Sequence, residues 1–147
     1  MRLLLHRDGS FQIDAQEAKY KSVLRLGFAA EPVDESDVFL YHKTTNRTVY
    51  KHASTSRPEC DDVLLWNRRG EITESTIANL VLDIHGKLLT PPVSSGLLAG
   101  TFRRYLLEHN KIQEATLTRD DLAQAHSIYL INSVRKWIKV KWMDLNC

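Results

Sequence analysis

The chain is 147 residues long, 43% apolar and 26% charged, with a formal net charge of +2. That length fits one domain able to bury roughly two-thirds of its unfolded surface, and the composition is that of an ordinary globular protein. The cations are scattered apart from a concentration at 135–142, where nucleic-acid binding stays open but a solvated strand face is the default, and no apolar run approaches the ~20 residues of a membrane-spanning helix.

The apolar start at residues 1–5 is cut off by His6, Arg7 and Asp8, too soon for a secretory leader. Residues 2–6 and 10–14 read as a hairpin around Asp8-Gly9. Residues 22–29 read as a strand, and 31–37, with Pro32 and several acids, as a surface crossing. Phe39-Leu40-Tyr41 reads as a short apolar strand that delivers Lys43 at its end. From 46 to about 56 the pattern is helical, with Tyr50 one turn from Arg47. Residues 62–66 suit a central strand, and 77–84 with 87–90 a hairpin around His85-Gly86. Residues 100–108 read as a helix with Phe102, Tyr105 and Leu106 on one face, and 120–125 as a shorter one. Strands at 127–132 and 136–142 close the chain, the second alternating basic and apolar residues like a half-buried strand with its cations in water. Many strands and few helices predict an α/β fold of the mixed α+β kind, not a doubly wound parallel sheet.

Two cysteines, Cys60 and Cys147, make no disulfide framework, and the six histidines show no ligand spacing. A soluble, cytoplasmic protein without a metal site is expected. The chemistry-bearing residues lie elsewhere. A lysine is a Schiff-base nucleophile only when unprotonated, which burial and nearby cations promote, and Lys43 has Arg47 four residues on. In Glu71-Ile72-Thr73-Glu74 the two acids are three apart, so on a strand they face opposite sides, one solvated and one inward. Gly96-Leu97-Leu98-Ala99-Gly100-Thr101-Phe102-Arg103 opens a helix whose first N–H groups favour an anion. Asn132-Ser133, at a strand end, offers an amide and a hydroxyl to such a site. Taken singly, each also fits an ordinary surface charge, hairpin, cap or turn.

Five segments in order carry a resemblance: His-Lys-Thr-Thr-Asn-Arg at 42–47, Asn-Arg-Arg-Gly-Glu-Ile-Thr-Glu-Ser-Thr-Ile-Ala-Asn-Leu at 67–80, Leu-Leu-Thr-Pro-Pro at 88–92, Gly-Leu-Leu-Ala-Gly-Thr-Phe-Arg at 96–103 and Ile-Asn-Ser-Val-Arg at 131–135. From about residue 39 to 140 the chain resembles the C-terminal domain of the fold-type IV pyridoxal phosphate enzymes, which include branched-chain and D-amino acid aminotransferases and 4-amino-4-deoxychorismate lyases. The resemblance implies the D-amino acid aminotransferase-like fold and pyridoxal 5'-phosphate as cofactor. It implies that Lys43 attaches the cofactor and moves protons, Glu74 binds the pyridine nitrogen and Leu98 packs on the ring. Backbone amides of Thr101 and Phe102 would hold the phosphate, with the hydroxyl of Ser133. Many relatives have Thr where Phe102 stands, so one phosphate hydroxyl is missing, and Thr48 stands where the aminotransferases tend to place Tyr.

His42 to Tyr50 and the segment 132–135 look most like the lyase branch, in particular the lyase domain fused behind aminodeoxychorismate synthase in some bacteria. The implied reaction is 4-aminobenzoate and pyruvate formation for folate biosynthesis. A class IV aminotransferase and a catalytically incomplete fragment stay open as alternatives. Relatives usually have two domains, the first giving an arginine to the phosphate, and this chain opens in what resembles the second. A missing N-terminal domain or synthase component, and self-association into a homo-oligomer, are the partners expected beside a small-molecule substrate, with no nucleic acid or membrane.

Overall fold

The structure, a computed structural model, describes residues 2–15 and 21–143, so Cys147 lies outside the described residues. A hairpin of β1 (Arg2–Leu5) and β2 (Phe11–Asp14) precedes a larger sheet. That sheet contains β3 (Val23–Phe28), β4 (Asp62–Trp66), β5 (Ile72–Ser75), β6 (Asn79–Ile84), β7 (Lys87–Thr90), β8 (Gln113–Glu114), β9 (Ser127–Asn132) and β10 (Lys136–Trp142). Helices α1 (Thr48–Thr55), α2 (Thr101–Glu108) and α3 (Arg119–Gln124) lie between strands in sequence. Six strands run in the order β5-β4-β3-β10-β9-β6, and β6 pairs back onto β5 to close the ring. β7 and β8 extend from the far end of β6. Parallel pairs (β3 with β4 and β10, β7 with β8) sit among antiparallel ones, the mixed arrangement expected.

Alternation along each strand sorts side chains into layers. Leu24, Leu26, Leu64, Ile72, Leu80, Leu82, Leu130 and Ile138 fill one core with Leu117 and Leu122. The intervening Val63 and Leu65 of β4 pack with Tyr50 and Ala53 of α1. Val81 of β6 and Ile131 of β9 pack with Leu106 of α2. Cover on both faces is why Asp-Val-Leu-Leu-Trp of β4 reads as a nearly unbroken apolar run. In β10 Lys139 and Lys141 are exposed while Ile138 is buried, as the alternation predicted; Lys136, of the same parity as Ile138, is exposed because it opens the strand at a positive φ of 60°.

One irregularity positions the site. Trp66 pairs with Ile72 and Leu64 with Ser75, so Thr73 and Glu74 together oppose the single residue Leu65, a β-bulge. Strict alternation would put Glu74 on the core face of Ile72. With the extra residue, Glu74 instead meets Tyr50 in the α1 layer. Ser75 N–H donates to Ala78 O at 2.8 Å, turning the chain directly into β6.

Three expectations are corrected. Residues 39–41 are not a strand: Val38–Leu40 form a 3-10 turn, capped where the Asp37 carboxylate accepts from Phe39 N–H. Only Leu40 is buried there, while Val38 and Phe39 face solvent, so one side chain in three drives packing rather than one in two. On α2 the inward residues are Arg103 and Leu106, and Tyr105 is exposed. The Arg103 guanidinium reaches across to Pro91 O (2.7 Å) and the Glu114 carboxylate (2.5 Å), which makes a charged residue the helix's main anchor. Glu71 is not freely solvated: its carboxylate accepts from Asn67, Ser95 and Arg69, which hold its pKa down at about 2. Among the described residues no helix is long and apolar enough to cross a membrane.

Candidate active site

Glu74 is 4% exposed and makes no ion pair among the described residues. Three neutral donors hold its carboxylate. The Tyr50 hydroxyl (2.9 Å) and Leu98 N–H (3.1 Å) donate to Oε1, and Asn79 Nδ2 (3.0 Å) donates to Oε2. Burial pushes its pKa up to about 8, against those hydrogen bonds and the positive charges of Lys43 and Arg47. Burial, with the charge of Glu74 behind it, also drives the Tyr50 hydroxyl upward, so Tyr50 stays a donor.

The supports of this carboxyl reach into the next segment. Asn79 Nδ2 also donates to Leu98 O (2.8 Å), and Gly100 N–H donates to the same carbonyl (2.8 Å). A Cβ on Gly100 would stand 2.2 Å from Asn79 Oδ1, so only glycine lets the start of α2 lie against this amide. The Thr76 turn after Glu74 is tied from two sides. The buried Asp62 Oδ1 accepts from Thr76 Oγ1 (2.5 Å) and Thr76 N–H (3.2 Å), and Arg47 donates from Nη2 to Thr76 O. The Arg47 guanidinium also lies 4.5 Å from the centre of the Tyr50 ring.

Leu98 is half-buried and serves Glu74 through its main chain. Three residues on, α2 begins at Thr101 with no side-chain cap and no acid in its first turn. The N–H groups of Thr101 and Phe102 fall in that first turn, where no helical partner exists. Thr101 Oγ1 and Ser133 Oγ are hydrogen-bonded, so the β9–β10 turn meets the start of α2. The Phe102 ring packs edge-on against Trp137 and carries the Lys136 ammonium 4.7 Å from its centre. Four of the six residues singled out thus form two direct pairs, Glu74 with Leu98 and Thr101 with Ser133, and Phe102 adjoins the second.

Lys43 stands apart. It is exposed on the loop before α1, not buried at a strand end, and its tie to the cluster is electrostatic, through Glu74. The concavities along β9–β10 and between α1 and residues 31–37 include none of the six. Sequence reasoning missed the roles of Tyr50, Asn79 and Gly100. Asn79 could have been suspected, since a polar residue opens an otherwise apolar strand, whereas the link from Tyr50 to Glu74 joins residues 24 apart.

The donor set suits a pyridoxal phosphate. A buried carboxyl with a raised pKa and one under-used oxygen matches a pyridine nitrogen with which it can share one proton, and an uncapped helix start beside two hydroxyls matches a phosphate.

A model of the family described as amino-transferase class IV matches residues 10–142. A Schizosaccharomyces pombe protein provisionally named aminodeoxychorismate lyase is 38% identical over 105 residues, 67% of this chain and 46% of its own length. The aminodeoxychorismate lyase of Saccharomyces cerevisiae is 30% identical, covering 95% of this chain and 50% of the relative. The crystal structure of a Mesorhizobium loti protein, provisionally named an amino-acid aminotransferase, superposes with a TM-score of 0.89 at 37% identity, covering 96% of this chain and 71% of that one. The chain spans about half the length of these curated relatives.

Proposed function

Because the chain belongs to the amino-transferase class IV family, we propose that it forms the lysine-bearing half of a pyridoxal phosphate-dependent lyase converting 4-amino-4-deoxychorismate to 4-aminobenzoate and pyruvate. The observation that carries the cofactor reading is the buried Glu74 carboxyl, held by three neutral donors with no cation of its own. The names of the yeast relatives favour the lyase over other family chemistry.

In this reading Lys43 attaches the cofactor, Glu74 meets its ring nitrogen, Leu98 lies against the ring, and the Thr101 and Phe102 amides with the Ser133 hydroxyl hold the phosphate. Pyridoxal phosphate supplies an electron sink that stabilises negative charge next to the substrate's amine. Burial pushes the Glu74 carboxyl up to about 8, so it would hold and share a proton with a bound pyridine nitrogen. A charged carboxylate there would keep Tyr50, Leu98 N–H and Asn79 as donors, so its charge would not be stranded. Lys43 Nζ takes the proton leaving the substrate ring. Exposure of Lys43, Thr101 and Ser133 supports completion of the site by further polypeptide, either a preceding domain or a synthase component.

An amino-acid aminotransferase is the second reading, favoured by the name of the Mesorhizobium loti relative. The deciding experiment incubates the chain, with and without the first domain of a relative supplied in trans, with cofactor and 4-amino-4-deoxychorismate. Release of 4-aminobenzoate and pyruvate with no keto acid added supports the lyase. Conversion of the cofactor to its amine form by an amino acid replaces it with the aminotransferase, and neither activity in the complemented mixture overturns both.

A further inference from the structure

Glu74 offers about four in-plane acceptor positions, two on each oxygen. Oε1 is saturated by the Tyr50 hydroxyl and Leu98 N–H. Oε2 has Asn79 Nδ2 alone, and that amide is shared with Leu98 O. The asymmetry is built by the fold: Leu98 donates from a main chain fixed by its carbonyl's two partners, and Tyr50 donates from the buried face of α1. The Tyr50 ring is itself pinned, 8% exposed, with Arg47 stacked on it.

We propose that Tyr50 is the positioning residue of this site: by occupying Oε1 it turns Oε2 toward the ring nitrogen and stabilises Glu74 in its charged form. The proposal rests on the cofactor reading for the identity of the group met by Oε2, but the Tyr50–Glu74 link stands on this chain alone. The charged groups facing the pair are Lys43 from the loop before α1 and Arg47 from its start, both favouring the carboxylate, with Asp37 acting on Tyr50. β6 and the segment before α2 contribute the uncharged Asn79 and a main-chain N–H. Tyr50 is therefore the one ionisable side chain that donates a hydrogen bond to Glu74 among the described residues. Removing it subtracts a hydrogen bond to the charged form while leaving Lys43 and Arg47 in place.

The test uses Tyr50→Phe, which keeps the ring under Arg47. Without cofactor, the Glu74 carboxyl is titrated by its infrared bands, with Glu74→Gln as the blank. The midpoint, expected near 8 in the parent, should rise by about one to two pH units in Tyr50→Phe, the size of one lost hydrogen bond to a charged group. In parallel, affinity is measured for pyridoxal phosphate and for its 1-deaza analogue, which has no ring nitrogen. Tyr50→Phe is expected to weaken the first roughly tenfold and the second by less than about twofold. An unmoved midpoint in a variant with parental circular dichroism overturns the role of Tyr50, whatever the ligand. A parent chain that binds both ligands equally overturns the cofactor reading instead, and with it the assignment of Oε2.

Discussion

Glu74→Gln in the cofactor-free chain isolates the energetic consequence of burying this acid. In the unfolded chain the carboxyl ionises near 4.5, and in the fold near 8. Because the folded value is raised, the native state holds its proton longer than the unfolded state, and stability falls as pH rises between those two values. At ~1.4 kcal/mol per unit the gap corresponds to a loss on the order of 5 kcal/mol, undiminished by solvent because the residue is nearly sealed. Glutamine has the same shape and no charge. Its oxygen still accepts from Tyr50 and Leu98 N–H, but its amide opposes Asn79 Nδ2, a fixed cost of about 1–3 kcal/mol at every pH. The variant should therefore be the weaker protein at pH 5 and recover or overtake the parent at pH 9. Urea denaturation of both proteins at the two pH values measures this, and the difference between their midpoints should swing by on the order of 1 M or more. Parallel pH profiles for parent and variant would refute the claim that Glu74 is buried and protonated at neutrality.

Borohydride reduction with pyridoxal phosphate should label Lys43, and Lys43→Ala should abolish that label while changing stability by less than about 0.5 kcal/mol, since the side chain is exposed; peptide mapping that finds Lys21, Lys51 or Lys87 labelled instead ends the assignment. Gly100→Ala forces Asn79 away from Glu74 and should cost about 1–3 kcal/mol in thermal stability, together with cofactor affinity. Arg103→Met leaves Pro91 O and Glu114 without their donor and should cost about 1–3 kcal/mol in urea, short of a fully buried pair because Glu114 is half exposed.

Where local pattern and tertiary contact agree, the sequence was readable. The hairpin over β6 and β7 follows from two largely apolar runs on either side of the turn residues His85-Gly86, both of which take positive φ. β3, β4, β9 and β10 likewise lie where their apolar spacing put them. Residues 39–41 were misread because Phe39-Leu40-Tyr41 is apolar, although of the turn residues Val38–Leu40 capped by Asp37 only Leu40 is buried. Arg103 was overlooked because helical periodicity counts apolar residues, and here an arginine satisfied by a carbonyl and a carboxylate occupies the core face. The inward acid was foreseen at Glu74, yet not the reason for its direction. Alternation alone would have sent it to the core, and the bulge opposite Leu65 depends on the partner strand's register, which no local spacing encodes.

The closing seam of the strand ring is its thinnest joint. β5 and β6 meet through the single register pair Glu74–Asn79 and the tight turn beyond it, whereas β6 and β9 share five pairs. Local opening is expected where a ladder is shortest, so sub-global unfolding of this domain should start between Glu74 and the Asn79 that holds its carboxyl, which amide exchange at this seam would test. A ligand gripped there acts as a rivet. It suppresses the opening mode in proportion to its occupancy, and the domain's resistance to proteolysis becomes a readout of how much of it is loaded.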